Sequence, residues 1–234
     1  MSFFANEKEF VMYTLSHLNK NIKDIDGNTI LHRLCNSNSD KFDLIKYCLS
    51  NGMDKFINVK NNSGQTALAL YIINDEIKIK SERIINLFIN NIDKNVITNH
   101  GNTYLHLVCN HYYNIEIIKL LLSKGINVNK KNNKGKTCLH LVKDKNTLKL
   151  LIDNDGDINV KNNNGLTCLH SVCDNNVLNL KMIKLLIECG IDINEKTNKG
   201  NTCLHIICYK KVIRPKIVNI ICLLYTSDAA DEED

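Results

Sequence analysis

A phrase of the form Gly-x-Thr-x-Leu returns six times along the chain, followed five times by His. It reads Gly-Asn-Thr-Ile-Leu-His from Gly27, Gly-Gln-Thr-Ala-Leu-Ala from Gly64 and Gly-Asn-Thr-Tyr-Leu-His from Gly101. It continues as Gly-Lys-Thr-Cys-Leu-His from Gly135, Gly-Leu-Thr-Cys-Leu-His from Gly165 and Gly-Asn-Thr-Cys-Leu-His from Gly200. The glycines stand 37, 37, 34, 30 and 35 residues apart. A second phrase keeps step with the first: Ile-Ile-Lys-Leu-Leu-Leu-Ser-Lys-Gly-Ile-Asn-Val-Asn over 117–129, and its counterparts over 148–159 and 182–194. Self-similarity at such a period marks stacked units, none of which buries its apolar face alone.

Each unit has its own local logic. Thr two residues after the glycine is placed to cap a short helix, and Leu at the fourth position begins its apolar stripe. A second helix follows, with apolar residues at helical spacing such as Ile117, Ile118, Leu120, Leu121 and Leu122. It ends at Gly125, Gly156 or Gly190, which suit a left-handed cap. A strand-like Ile-Asn-Val-Asn stretch and an Asn/Lys-rich turn such as 130–134 complete the unit. Residues 7–19 have the pattern of the second helix of a partial leading unit.

These phrases resemble the period and the Thr-Pro-Leu-His-x-Ala signature of the ankyrin repeat, over about residues 7–221. The resemblance implies an all-α ankyrin-repeat solenoid: helix-turn-helix units with short β-turn or hairpin tips, about six of them plus the partial leading one. The expected divisions are a partial leading repeat (1–26), then repeats at 27–63, 64–100, 101–134, 135–164, 165–199 and 200–221. The chain departs from the signature in places. Ile30, Ala67, Tyr104, Cys138, Cys168 and Cys203 replace the proline, and Ala69 replaces the histidine of the second repeat. The fourth repeat is about three residues short, so its inter-helix turn around Lys143–Asn146 is expected to be tight. Pro215 is expected in the first turn of the last repeat's second helix.

Composition narrows the class. No run of eighteen apolar residues is present and the N-terminus lacks a basic, apolar leader, so a cytoplasmic protein without a membrane span is expected. Ten cysteines in such a compartment are not a disulfide framework. Asn (36), Ile (30) and Lys (27) supply about two-fifths of the residues, the mark of an A/T-rich coding sequence, which discounts any single lysine cluster. Residues 222–234 break that composition and resemble a translated sequencing adapter. They hold five of the chain's acids and no base, so the preceding body carries +10 rather than +5. The sixth repeat also lacks the polar outer face of a terminal cap. A non-native tail on a shortened protein is expected.

Several residue groups carry the types needed for chemistry without its pattern. Cys168, His170 and Cys173, like Cys203, His205 and Cys208, are zinc-ligand types, but a zinc site needs four donors converging from separated pairs. In the ankyrin family this histidine braces the turn. Cys35, Cys109, Cys173 and Cys208 fall in its small apolar slot, where a thiol behaves as a small hydrophobe. Helices of adjacent repeats pack about 8–10 Å apart, beyond the roughly 7 Å that a disulfide spans, so Cys138, Cys168 and Cys203 are expected to stay reduced. His32, His106, His140, His170 and His205 follow the repeat, which makes them architectural. Ser16 beside His17, and Cys109 two before His111, are too close along a helix to face each other. With no Gly-x-Gly-x-x-Gly or P-loop phrase, no enzyme, metal or cofactor is expected.

What remains is a surface. The family resemblance implies partner contacts through the tips and the exposed face of the first helices. On this chain that surface comprises Lys130, Lys131, Asn133, Lys134, Lys136, Asn162, Asn164, Leu166, Lys196, Asn198 and Asn201, with Asn110, His111, Lys143, Asp174, Tyr209 and Lys210 on the helix face. The partner expected is another protein, bound by a monomer. A basic edge also attracts nucleic acid, but lysines outnumber arginines 27 to 3 and no aromatic residues interleave with the tip lysines to stack on bases. The Asn/Ile/Lys bias and the cysteines in place of proline resemble ankyrin proteins of large A/T-rich DNA viruses, poxviruses especially. That resemblance implies a host-interaction or ubiquitin-ligase adaptor role in the host cytoplasm. The alternative is the recognition arm of a larger enzyme.

Overall fold

The structure, a computed structural model, describes residues 7–17, 19–37, 41–74, 82–111, 114–175 and 179–209. The candidate Lys210, Pro215 with the second helix expected there, and the tail 222–234 lie outside the described residues. The chain divides into two compact units, residues 1–126 and 127–234. Helix α1 (Glu7–His17) leads. Inner and outer helices then alternate: α2 (Ile30–Cys35) with α3 (Phe42–Cys48), α4 (Ala67–Ile73) with α5 (Glu82–Ile89), and α6 (Tyr104–His111) with α7 (Ile115–Ser123). In the second unit a single 3₁₀ turn (Cys138–His140) pairs with α8 (Lys145–Ile152), α9 (Cys168–Asp174) pairs with α10 (Leu180–Glu188), and α11 (Cys203–Tyr209) follows.

These helices run from 6 to 11 residues, too short to persist alone in water. Stacking holds them. Within the first unit α2 packs on α4 and α4 on α6; within the second the 3₁₀ turn packs on α9, α9 on α11, and α8 on α10. Leu31, Leu68, Leu105, Leu139 and Leu169, one from each successive phrase, are all buried. The outer helices add Ile45, Ile85, Phe88, Ile117, Leu121, Leu148, Leu151, Ile183 and Leu186. Each such side chain contributes about 1.5–3 kcal/mol when buried.

Three local expectations differ from the structure. The shortness of the fourth repeat is taken up in its inner helix, which shrinks to one 3₁₀ turn, while Asp144 caps α8 by accepting from Thr147 N at 2.9 Å. Gly125 and Gly190 hold the left-handed cap (φ 72° and 76°), but at the third site the left-handed residue is Asp155 (φ 63°). Gly156 serves close approach instead: its N donates to Leu151 O at 2.9 Å, and a Cβ would lie 2.5 Å from that oxygen. Finally, no strand forms among the described residues. Asp93, Asn127, Asp157 and Asp192 each accept, through the side chain, from the backbone N two residues on, at 2.8–2.9 Å. The stretch becomes a chain of Asx turns.

Candidate binding surface

Each tip is built by the residue three before its glycine: Asp24, Asn61, Thr98, Asn132, Asn162 and Thr197. Asn132 Oδ1 accepts from Lys134 N and Lys136 N, both at 3.0 Å, and Asn162 Oδ1 accepts from Asn164 N (2.9 Å) and Leu166 N (3.1 Å). Asn61 and Asp24 do the same for their own tips. Sequence reasoning missed this column, although its restriction to Asp, Asn and Thr was visible. It also corrects one surface assignment. Asn162 is only 7% exposed, and its side chain shapes the tip instead of facing a partner.

A second asparagine column ties tip to tip. Within the second unit Asn163 N donates to Lys134 O (3.1 Å) and Asn163 Nδ2 to Asn133 O (2.9 Å). Asn198 N donates to Asn164 O (3.0 Å) and Asn198 Nδ2 to Asn163 O (2.9 Å). In the first unit Asn62 binds Asp26 O and Ile25 O likewise. The asparagine amide lies where the preceding glycine's Cβ would be: at Gly135, with φ 71°, a Cβ would fall on Asn163 Oδ1. Glycine is needed there for both space and backbone angle.

On this frame Lys130, Lys131, Asn133, Lys134, Asn164, Lys196, Asn198 and Asn201 are exposed, and Lys136 and Leu166 are half-buried. Lys143, Asp174 and Tyr209 are exposed in the same unit, Tyr209 at 92%. Asn110 and His111 are exposed in the first unit. Part of the basic charge is already engaged. Lys161 pairs with Glu195, holding that carboxyl below the usual range, and Lys131 Nζ donates to Lys161 O at 3.0 Å.

The repeat histidines brace the turns, and His32, His106, His140 and His170 are buried while His205 is exposed. Thr29 N donates to His32 Nδ1 (3.1 Å), so Nδ1 is the acceptor and Nε2 carries the proton it donates to Gln65 O (3.0 Å). Thr103–His106, Thr137–His140, Thr167–His170 and Thr202–His205 repeat the pairing at the Nδ1 side. His140 Nε2 continues to Leu166 O (2.9 Å). At His170 the carbonyl of Asn201 stands in the matching place, but Nε2 makes no hydrogen bond of good geometry. Burial lowers the pKa of both His32 and His170. The Nε2 donors of His32 and His140 are spent on the fold.

Three of the cysteines are committed in the same way. Cys138, Cys168 and Cys203 thiols donate to Val128 O, Ile158 O and Ile193 O at 3.2–3.4 Å. Burial pushes the Cys168 thiol up to about 12 and Cys48 to about 11. Cys35, Cys109 and Cys173 are buried, whereas Cys208 is exposed. No group of three or more metal-ligand side chains gathers among the described residues. One pair expected to stay apart does meet: Ser16 Oγ lies 2.9 Å from His17 Nδ1. Both side chains fold back onto the Tyr13 carbonyl in the last turn of α1, at 2.6 and 2.9 Å. Because that carbonyl only accepts, Nδ1 is a donor there and takes no proton from the serine.

A profile of the ankyrin-repeat family, described as ankyrin repeats in three copies, matches residues 76–142 and 141–232. The chain belongs to the ankyrin-repeat family. The ankyrin chain resembles the crystal structure of the ankyrin repeat domain of Bcl-3, an IkappaB-family member, with a TM-score of 0.67. That match covers 85% of this chain and 86% of the other at 18% identity, which is a likeness of fold. A Caenorhabditis elegans intracellular phospholipase A2 is 34% identical over 125 residues, 52% of this chain and 11% of that protein. An ankyrin repeat protein of Acanthamoeba polyphaga mimivirus is 32% identical over 149 residues, 54% of this chain and 26% of that protein. The ankyrin chain thus spans a small part of the length of these relatives. No helix among its described residues is long and apolar enough to cross a membrane.

Proposed function

We propose that this ankyrin-repeat chain binds a partner protein through its tip row, residues 130–136, 160–166 and 195–201, and the exposed inner-helix ends beside it. The observation that carries this reading is a backbone fixed from tip to tip beneath exposed side chains. Asn163 and Asn198 clamp the row, and Lys130, Lys131, Lys134, Lys196 and Asn201 stand free of the core. A surface ordered before contact loses little conformational entropy on binding. The lysine excess at 130–136, with no acid in that tip, favours an acidic partner surface. Reversing Lys130, Lys131, Lys134 and Lys136 to glutamate tests it: partner capture should vanish while the helical signal stays.

The coding bias and the mimiviral relative support a place among the ankyrin proteins of large DNA viruses. There the chain acts in the host cytoplasm, on a host protein or as the substrate adaptor of a ubiquitin ligase. Affinity purification from infected or transfected host cells, with cullin subunits as the readout, separates these two roles.

A second reading has its own observation. The nematode match places a similar segment within a protein named for phospholipase A2 activity, across about a tenth of its length. In this reading the chain is the recognition arm of a larger enzyme. Sequencing the source across codon 221 decides it, since a catalytic domain in frame beyond that point supports this reading and a stop codon removes it.

A further inference from the structure

Between the tips of the last two described repeats lies a groove of about 290 Å³ with a mixed lining. Leu166 and Ile206 form its apolar floor, both half-buried and reached from solvent. Thr197 and Asn198 line it but serve the fold: Thr197 Oγ1 accepts from Asn201 N (3.1 Å), and the Asn198 amide is held by Asn163 O. Asn164, Asn201 and Lys199 are different. Each is exposed, and none of their side-chain heads has a partner among the described residues. No acid is among the lining residues, and Glu195 of the same tip is held by Lys161. A cation and two primary amides therefore stand beside a half-buried aliphatic floor.

We infer that this groove takes an acidic–aliphatic peptide motif, an Asp or Glu one or two residues from a Leu, Ile or Val. The inference rests on the protein-binding reading and narrows it to one groove and one chemistry. Lys199 supplies the charge opposite the carboxylate. The amides of Asn164 and Asn201 each offer both donor and acceptor, which matches the peptide groups of an extended segment. The floor of Leu166 and Ile206 covers the aliphatic side chain. A bare phosphate chain would satisfy Lys199 but leave that floor in water, and no aromatic ring lines the groove for a base to stack on. The volume accommodates about two or three residues, the size of a pocket that gives specificity within a longer contact.

The test is fluorescence anisotropy of the full chain against labelled peptides carrying Asp-Glu-x-Leu, with Asn-Gln-x-Leu and Asp-Glu-x-Ser versions and a single-stranded oligonucleotide as controls. The acidic–aliphatic peptide should bind, each control peptide should bind about tenfold more weakly, and Lys199→Glu should weaken the first by about tenfold or more through like-charge contact. Leu166→Ser should lose discrimination between Leu and Ser while thermal unfolding stays close to the parent. Equal binding of all three peptides, tighter binding of the oligonucleotide, or indifference to Lys199→Glu overturns the groove. If Lys199→Glu changes nothing but reversal of Lys130, Lys131 and Lys134 abolishes partner capture, the groove fails and the tip-row reading stands. If neither set changes capture, both fail.

Discussion

The hydroxyl of Tyr104 lies 2.9 Å from Thr66 Oγ1, joining the second repeat to the third across 38 residues of sequence. It stands in for a missing part. The second repeat carries Ala69 where the others carry histidine, so Thr66 has no imidazole to hold; it keeps the backbone bond from Ala69 N (3.2 Å) and shares a hydrogen bond with Tyr104 instead. Both are buried, and burial pushes the Tyr104 phenol up to about 12.

Tyr104→Phe should therefore destabilise the chain by about 1–3 kcal/mol, the cost of leaving a buried hydroxyl unpaired. Adding Ala69→His to Tyr104→Phe should recover part of that loss, whereas Ala69→His alone should overpack the site. Urea unfolding of the single and double variants measures the coupling, and additive losses would contradict the substitution of one brace by the other.

The glycine and asparagine columns make a second pair. Gly135→Ala is expected to cost about 1–2 kcal/mol from the left-handed backbone alone, with more from the displaced Asn163 amide. Asn163→Ala removes the bond to Asn133 O and is expected to cost about 1 kcal/mol. Because both act at one contact, the double variant should lose less than the sum in a denaturation cycle.

Much of this was legible in the sequence and some was not. The Gly, Thr, Leu and His columns announced the repeat because each residue type does one job at one place. The tip columns, one of Asp, Asn and Thr and one of Asn, were hard to pick out because 36 asparagines are spread through the chain. Asn162 looked like surface for that reason. The Asp-Gly pair at 155–156 admits a left-handed residue at either position, and only the contact between Gly156 and Leu151 O decides which. Ser16 and His17 met because both side chains bend to the Tyr13 carbonyl in the last helical turn, a contact that spacing rules for helix interiors do not cover.

Burial holds His32 and His170 below the ordinary histidine value of 6.5. The unfolded chain binds a proton there before the folded one does. Stability is therefore complete above pH 6.5 and is lost as the pH falls through that value toward the folded-state values, by up to about 1.4 kcal/mol per pH unit for each histidine. Urea midpoints on either side of that pH should show the fall, and His32→Gln should make it shallower. A midpoint that stays level as the solution is acidified would contradict it.

Leu139 is buried in the inner turn of the fourth repeat, while Lys134 is exposed on the tip beside it. Leu139→Ala should cost about 2–5 kcal/mol, and Lys134→Glu about 0.5 kcal/mol or less. Thermal unfolding of the two variants separates core from surface, and a comparable loss in both would place Lys134 in the fold.

The tip row as a protein-binding surface is tested most directly by partner capture with Lys130, Lys131, Lys134 and Lys136 reversed to glutamate, beside a duplex DNA titration over a salt series. The parent should recover a specific protein that the reversed variant loses, with unchanged circular dichroism and negligible DNA binding at physiological salt. Capture of the same proteins by parent and variant would contradict the basic-edge account. So would micromolar DNA binding whose log affinity falls by about 0.9 per neutralised phosphate against log salt, which would assign the lysines to nucleic acid instead.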